Sequence, residues 1–136
     1  LNIFNAFKYY IPALVAAFFL FYMSSLPGSS IPSMGVKYED LLFHFAAYSV
    51  FGSALGLAFL HDIERQVGER IFLVVAVGVL YGFSDEFHQM FVPSREATIA
   101  DVIADGLGAT GGIYLFLSLT RLLAKRGYRF ASSNSQ

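Results

Sequence analysis

The residues able to do chemistry are few and lie close together in helical register. Asp40, His44 and Tyr48 recur at i, i+4, which stacks them on one face of a helix. Asp85, Glu86, His88 and Gln89 follow within five positions, with Tyr81 a turn earlier. The spacing predicts that Tyr81, Asp85, His88 and Gln89 share a face and that Glu86 lies one step round. Asp101 and Asp105 form a third i, i+4 pair, and Arg95 sits between the second and third groups. Three chemistries fit this set. Carboxylates and imidazoles hold a divalent metal such as zinc, manganese or magnesium, although no HExxH spacing is present. Alternatively, His44 or His88 is a general base and a buried Glu or Asp a general acid. In the third, the groups bind a polar headgroup, with Arg95 as a clamp for a carboxylate or phosphate. The expected catalytic set is His44, Glu86, His88 and Asp101. The expected binding set is Asp40, Tyr48, Asp85, Gln89, Arg95 and Asp105.

The elements that must position these groups are membrane helices. The chain has 136 residues, of which 56% are hydrophobic and only 14% charged, with a net charge of -1. That composition excludes intrinsic disorder and disfavours a nucleic-acid partner, since no basic excess exists to neutralise phosphates. With no Cys there is no disulfide, thiolate metal site or Cys nucleophile. Four apolar blocks predict an all-α integral membrane four-helix bundle in one domain, with helices at about 9–26, 40–60, 71–92 and 98–123 and a polar tail at 127–136. The first block is longer than a signal-peptide core and only Lys8 precedes it, so it is expected to remain as a span. It carries no polar face, which argues against a soluble bundle. Ionisable groups at membrane depth are costly, and their presence in such a chain points to function.

Lys8, Arg65, Arg70, Arg121, Lys125, Arg126 and Arg129 fall on one side of the four blocks, and Lys37 and Arg95 on the other. The positive-inside rule therefore predicts both termini in the cytoplasm and the polar cluster near the opposite face. On the fourth block, Gly108-x-x-x-Gly112 is the small-residue step that lets membrane helices approach closely. It would bring the second, third and fourth helices together with their polar stripes inward.

The motif Asp40-x-x-x-His44-Phe45-x-x-Tyr48, then Asp85-Glu86-Phe87-His88-Gln89-x-Phe91-Val92-Pro93-x-Arg95, then Asp101-Val102-x-x-Asp105-x-x-Gly108, resembles the VanZ-like family. The resemblance runs from Asp40 to about Gly112. It implies a small polytopic bacterial membrane protein of the cell envelope, in a family whose namesake is linked to teicoplanin resistance. The family pattern falls on Asp40, His44, Tyr48, Glu86, Gln89, Arg95 and Asp101. Two positions depart from it: Leu41 stands where the family often has Lys, and Asp105 where Asn is common.

The expected partners are membrane lipids and a lipid-linked cell-wall precursor or lipoglycopeptide. The expected location is the bacterial inner membrane, with the site near its extracytoplasmic face. A membrane hydrolase or transferase is one reading, and a non-enzymatic binder of amphiphiles or an envelope accessory protein is the other. A channel is disfavoured, because the inner halves of the helices carry no matching chain of ionisable groups.

Overall fold

In the computed structural model, the described residues are 7–31, 33, 35–61 and 67–125. The polar tail and part of the connection between the second and third helices, including Arg65, lie outside them. The described residues form four α-helices and one short 3-10 turn, with no strand among them. The helices are α1 (Ile11–Ser24), α2 (Glu39–Leu60), α3 (Val67–Gln89) and α4 (Ile99–Lys125).

Three of the four meet the length expected of a span. α2 has 22 residues and α3 has 23, and the apolar part of α4, Ile99–Ala124, has 26. α1 has 14 residues and falls short of the 9–26 span expected from hydropathy. Pro12, in its first turn, sets the start, where the missing N–H costs no helical hydrogen bond. Ser25 ends it, its hydroxyl donating to the Phe21 carbonyl at 2.7 Å. α3 also differs from expectation. It begins at Val67, earlier than residue 71, because Glu69 and Arg70 are helical, and it ends at Gln89 rather than 92.

Glycine sets the helix spacing. A Cβ on Gly112 would lie 2.1 Å from the Ser49 carbonyl oxygen, and one on Gly52 would lie 2.2 Å from that of Ala109. α2 and α4 thus touch backbone to backbone, as the small-residue step on α4 predicts, and the Ser53 hydroxyl donates across the seam to the Gly112 carbonyl at 2.9 Å. α3 packs on the same pair through Gly78, which faces Ala109. Tyr48, Phe51, Leu55, Ala58, Val74 and Ile113 fill the core between them.

α1 is the outer member and lies against α2 and α3. It buries only Ala13, Leu20 and Ser24, and leaves Val15, Phe18 and Phe19 exposed, Phe18 at 73%. Such a face suits lipid rather than water.

Two loops close the end of the bundle that carries the polar residues. The Gly28 N–H donates to the Pro93 carbonyl at 3.1 Å, and a Cβ on Gly28 would collide with the Ser94 carbonyl. The loop after α1 and the loop after α3 are therefore one packed unit.

Candidate functional site

Helical phase delivers the polar residues in depth order. On α2, Asp40 is exposed at the loop end, His44 is half-buried one turn in, and Tyr48 is buried a further turn in. On α3, Gly82, Asp85, Glu86 and Gln89 are the buried residues of the last two turns, while Phe83 and Phe87 face outward. On α4, Asp101 and Asp105 are both buried, Asp105 completely. Gly82 makes this possible: a Cβ there would sit 2.6 Å from Asp105 Oδ2, so a larger residue would exclude the carboxylate.

The three helices meet at His44. Its Nδ1 lies 2.9 Å from Asp105 Oδ1, and its Nε2 lies 3.8 Å from Glu86 Oε1. The other Glu86 oxygen, Oε2, accepts the backbone N–H of Thr98 at 2.9 Å. Thr98 caps α4: its hydroxyl accepts the Asp101 N–H at 3.2 Å and donates to Asp101 Oδ2 at 2.7 Å. One carboxylate from α3 thus fixes the start of α4, and Asp101 is tied into that cap. Gln89 Nε2 donates to Asp85 Oδ2 at 3.3 Å, within α3.

Charge balance is the unusual property of this cluster. Asp85, Glu86, Asp101 and Asp105 are all buried. Among the described residues, the ion pairs of these acids run to His44 alone. Arg95 is committed elsewhere: its Nε donates to the Leu26 carbonyl at 3.1 Å and its Nη2 to the Met23 carbonyl at 2.7 Å. It holds the C-terminal end of α1, where the helix dipole favours a cation. Glu86 Oε1, Asp105 Oδ2, Tyr48 Oη and Ser24 Oγ are buried without a hydrogen-bond partner. Buried polar atoms are normally satisfied, so four such atoms in one region mark it as different from the rest of the core.

A cavity of about 420 Å³ opens beside the cluster, between α1, α2, α3 and the two loops. Phe19, Leu20 and Met23 of α1, with Phe43 and Ala47 of α2, make an apolar wall. Asp40, His44, Tyr48, Asp85, Gln89 and Arg95 make a polar one, with Ser24 between. Glu86, Asp101 and Asp105 stand behind that polar wall rather than lining the cavity.

Most of the residues picked out by spacing are therefore neighbours, but His88 is not among them. Its Nε2 is 3.0 Å from Ser25 Oγ and its ring lies 4.8 Å from that of Phe21, against the end of α1. His88 keeps the helical register expected of it, three residues from Asp85, but that edge of the face turns toward α1 and away from His44. The buried face of α3 is centred between Asp85 and Glu86, through Gly82 and Gln89, and His88 is about a third of a turn away from that centre. Arg95 reaches the cavity rim but spends two donors on α1. Sequence reasoning passed over Thr98 and Ser24. Thr98-x-x-Asp101 is a legible capping signature. Ser24 carries no local signal, since its place depends on how α1 docks.

The chemistry open to this arrangement follows from the hydrogen bonds. Asp105 holds one His44 nitrogen and turns the other toward Glu86, which is how a carboxylate orients an imidazole that transfers a proton or ligates an ion. Ligand atoms of His44, Asp85 and Glu86 lie within 4.8 Å of one another.

A family model described as VanZ/LLP1 matches residues 4–121 of the chain. No curated protein and no solved structure matches it. The match covers α1, α2, α3, all but the last turn of α4 and every residue of the cluster, and the chain belongs to the VanZ/LLP1 family of membrane proteins.

Proposed function

We propose that this VanZ/LLP1 family member works at a bacterial cell envelope, on a lipid-linked or amphiphilic molecule whose polar head enters the cavity between α1 and α2. The observation that carries this reading is the division of the cavity wall. One side offers Phe19, Leu20, Met23, Phe43 and Ala47, and the other Asp40, His44, Tyr48, Asp85, Gln89 and Arg95. Pockets that bind small molecules combine an apolar lining with a few placed polar groups, and this volume suits a headgroup with the first part of a chain.

In this reading Gln89 and the uncommitted N–H groups of Arg95 hold an anionic or carbonyl group. His44, oriented by Asp105, moves a proton, and Glu86 and Asp101 act as acid, base or electrostatic support. The distribution of Lys and Arg favours an inner-membrane protein with the cavity toward the extracytoplasmic side. The candidate amphiphiles are a lipid-linked cell-wall precursor and a lipoglycopeptide, and protection against such an antibiotic would follow from action on either.

The test is comparison of cells expressing equal amounts of wild type, His44→Ala, Glu86→Ala and Asp101→Ala. Envelope lipids are profiled by mass spectrometry and growth is scored against a lipoglycopeptide. Loss of a proton-transfer group should lower turnover by about 100-fold or more. Retention of the wild-type envelope phenotype by all three variants would overturn the reading. The large apolar share of the wall supports a second reading, capture without reaction. Saturable binding of an unmodified amphiphile would establish it, and a chemically altered lipid would exclude it.

A further inference from the structure

We infer that His44, Asp85 and Glu86 form a site for one divalent transition-metal ion, with Asp105 as the group that orients its imidazole. The inference concerns the cavity read above as the working site and rests on that reading for the ion's use; with the ion bound, His44 and Glu86 serve as its ligands in place of the proton-transfer and acid–base roles given them there. Ion binding itself is measurable with no amphiphile present.

The first observation is proximity: one nitrogen and two carboxylate oxygens lie within 4.8 Å of one another, and His44 Nε2 is 3.8 Å from Glu86 Oε1. Ligand atoms around a four-coordinate ion with bonds of about 2.0–2.2 Å are roughly 3.3–3.5 Å apart. Closing the remaining gap takes side-chain rotations of about 1 Å.

The second observation concerns what each ligand does with its other polar atom. Nδ1 of His44 is held by Asp105 Oδ1 at 2.9 Å, leaving Nε2. Oε2 of Glu86 accepts the Thr98 N–H, leaving Oε1. Oδ2 of Asp85 accepts from Gln89 at 3.3 Å. In His44 and Glu86 one atom is anchored and the other faces the site. Metal ligands are ordinarily arranged this way, with the outer partner fixing the orientation of the ligand.

The third observation points to a ligand directly. Glu86 is 5% exposed, and its Oε1 is buried without a hydrogen-bond partner on the side facing His44. A buried carboxylate oxygen needs a proton, a donor or a cation. The cations that could have served are engaged otherwise, Arg95 with the carbonyls of α1.

One imidazole and two carboxylates suit zinc or manganese better than calcium or magnesium. His44 and Asp85 line the cavity, so the ion would be reached from it. It would present an open position to the same space, where it would hold the anionic group of an incoming headgroup.

The experiment uses the full chain, purified in detergent with any affinity tag removed, stripped with a chelator and given Zn²⁺ alone. Bound metal is counted by mass spectrometry after desalting, and affinity is measured by competition with a chelating dye. Wild type should retain one Zn²⁺ per chain. His44→Ala and Glu86→Gln should each weaken binding by about 100-fold or more, and Asp105→Asn by about 10- to 100-fold. His61→Ala, at the opposite end of α2, should leave it unchanged. Substoichiometric Zn²⁺ on wild type, equal affinity in His44→Ala and Glu86→Gln, or loss on His61→Ala would each overturn the proposal. Should a variant fail to fold, X-ray absorption on the wild-type complex decides. One nitrogen with oxygens at about 2.0–2.2 Å supports the site, and a shell of several imidazoles refutes it. If Zn²⁺ fails to bind while an amphiphile still occupies the cavity, the ion is excluded and the reading of the cavity stands. The reverse result leaves the ion and removes the amphiphile.

Discussion

The seam between α2 and α4 and the flank formed by α1 are built by opposite means. At the seam the side chains are removed. Gly52, Gly108 and Gly112 let the backbones meet, so the contact is fixed by main-chain shape. At the flank the side chains are large, and most of them point away from the protein. α1 is held instead by a few polar contacts. Tyr81 donates to the Ala17 carbonyl at 2.6 Å, Ser25 meets His88, and Arg95 grips Met23 and Leu26. The buried cluster stands beside the seam, and the cavity stands beneath the flank. The buried polar groups are thus mounted on the backbone-to-backbone contact. The wall that an amphiphile would have to pass is mounted on the adjustable one.

That comparison can be broken at either side. The largest effect should come from Gly112→Leu, whose Cβ would lie 2.1 Å from the Ser49 carbonyl oxygen and 2.8 Å from the Ser53 nitrogen. Backbone on both sides leaves nowhere for the side chain to go. A loss of more than about 4 kcal/mol is expected, seen as failure to give a monodisperse folded protein in detergent. Next is Arg95→Ala, which removes two charge-assisted hydrogen bonds to the end of α1. About 2 kcal/mol should be lost locally. Hydrogen exchange should rise at residues 23–26 while the amides of the α2–α4 seam stay protected. Equal loss of protection in both regions would mean that flank and seam open together, and the distinction would fall. The smallest is Tyr81→Phe, which deletes the bond to Ala17. In a membrane such a bond averages about 0.6 kcal/mol, so the expected change is a small drop in thermal midpoint with α1 exchange raised only slightly.

Much of the fold was legible because membrane helices announce themselves by hydropathy. The three long helices lie where apolar runs of about 20 residues placed them, and Gly108-x-x-x-Gly112 marked the close crossing. Helix ends were less legible. Hydropathy counted Tyr9, Ser25 and Leu26 into the first span, but Pro12 and Ser25 set the backbone limits of α1. It left Glu69 and Arg70 out of the third span, though charged residues make good helix.

At the site, i, i+4 spacing correctly grouped Asp40, His44 and Tyr48, and also Asp101 and Asp105. It did not show that His88 turns to the end of α1, because a short polar run does not say where the centre of the buried face lies. Gly78 and Gly82 do, and they sit on the Glu86 side of Asp85. The two tasks of Glu86, toward His44 and toward Thr98, were out of reach of spacing, since both are contacts between helices.

The shortness of α1 carries a mechanical consequence. Fourteen helical residues rise about 21 Å, against roughly 30 Å of hydrocarbon. A bilayer meeting this side of the protein must thin to match it, at a modest elastic cost per ångström. The headgroup plane is then drawn inward on the side where Phe19, Met23 and Arg95 frame the cavity. In the proposed reading, a lipid arriving there would have less depth to cross before its head met His44 and Asp85. Membrane thickness would set the height of that step.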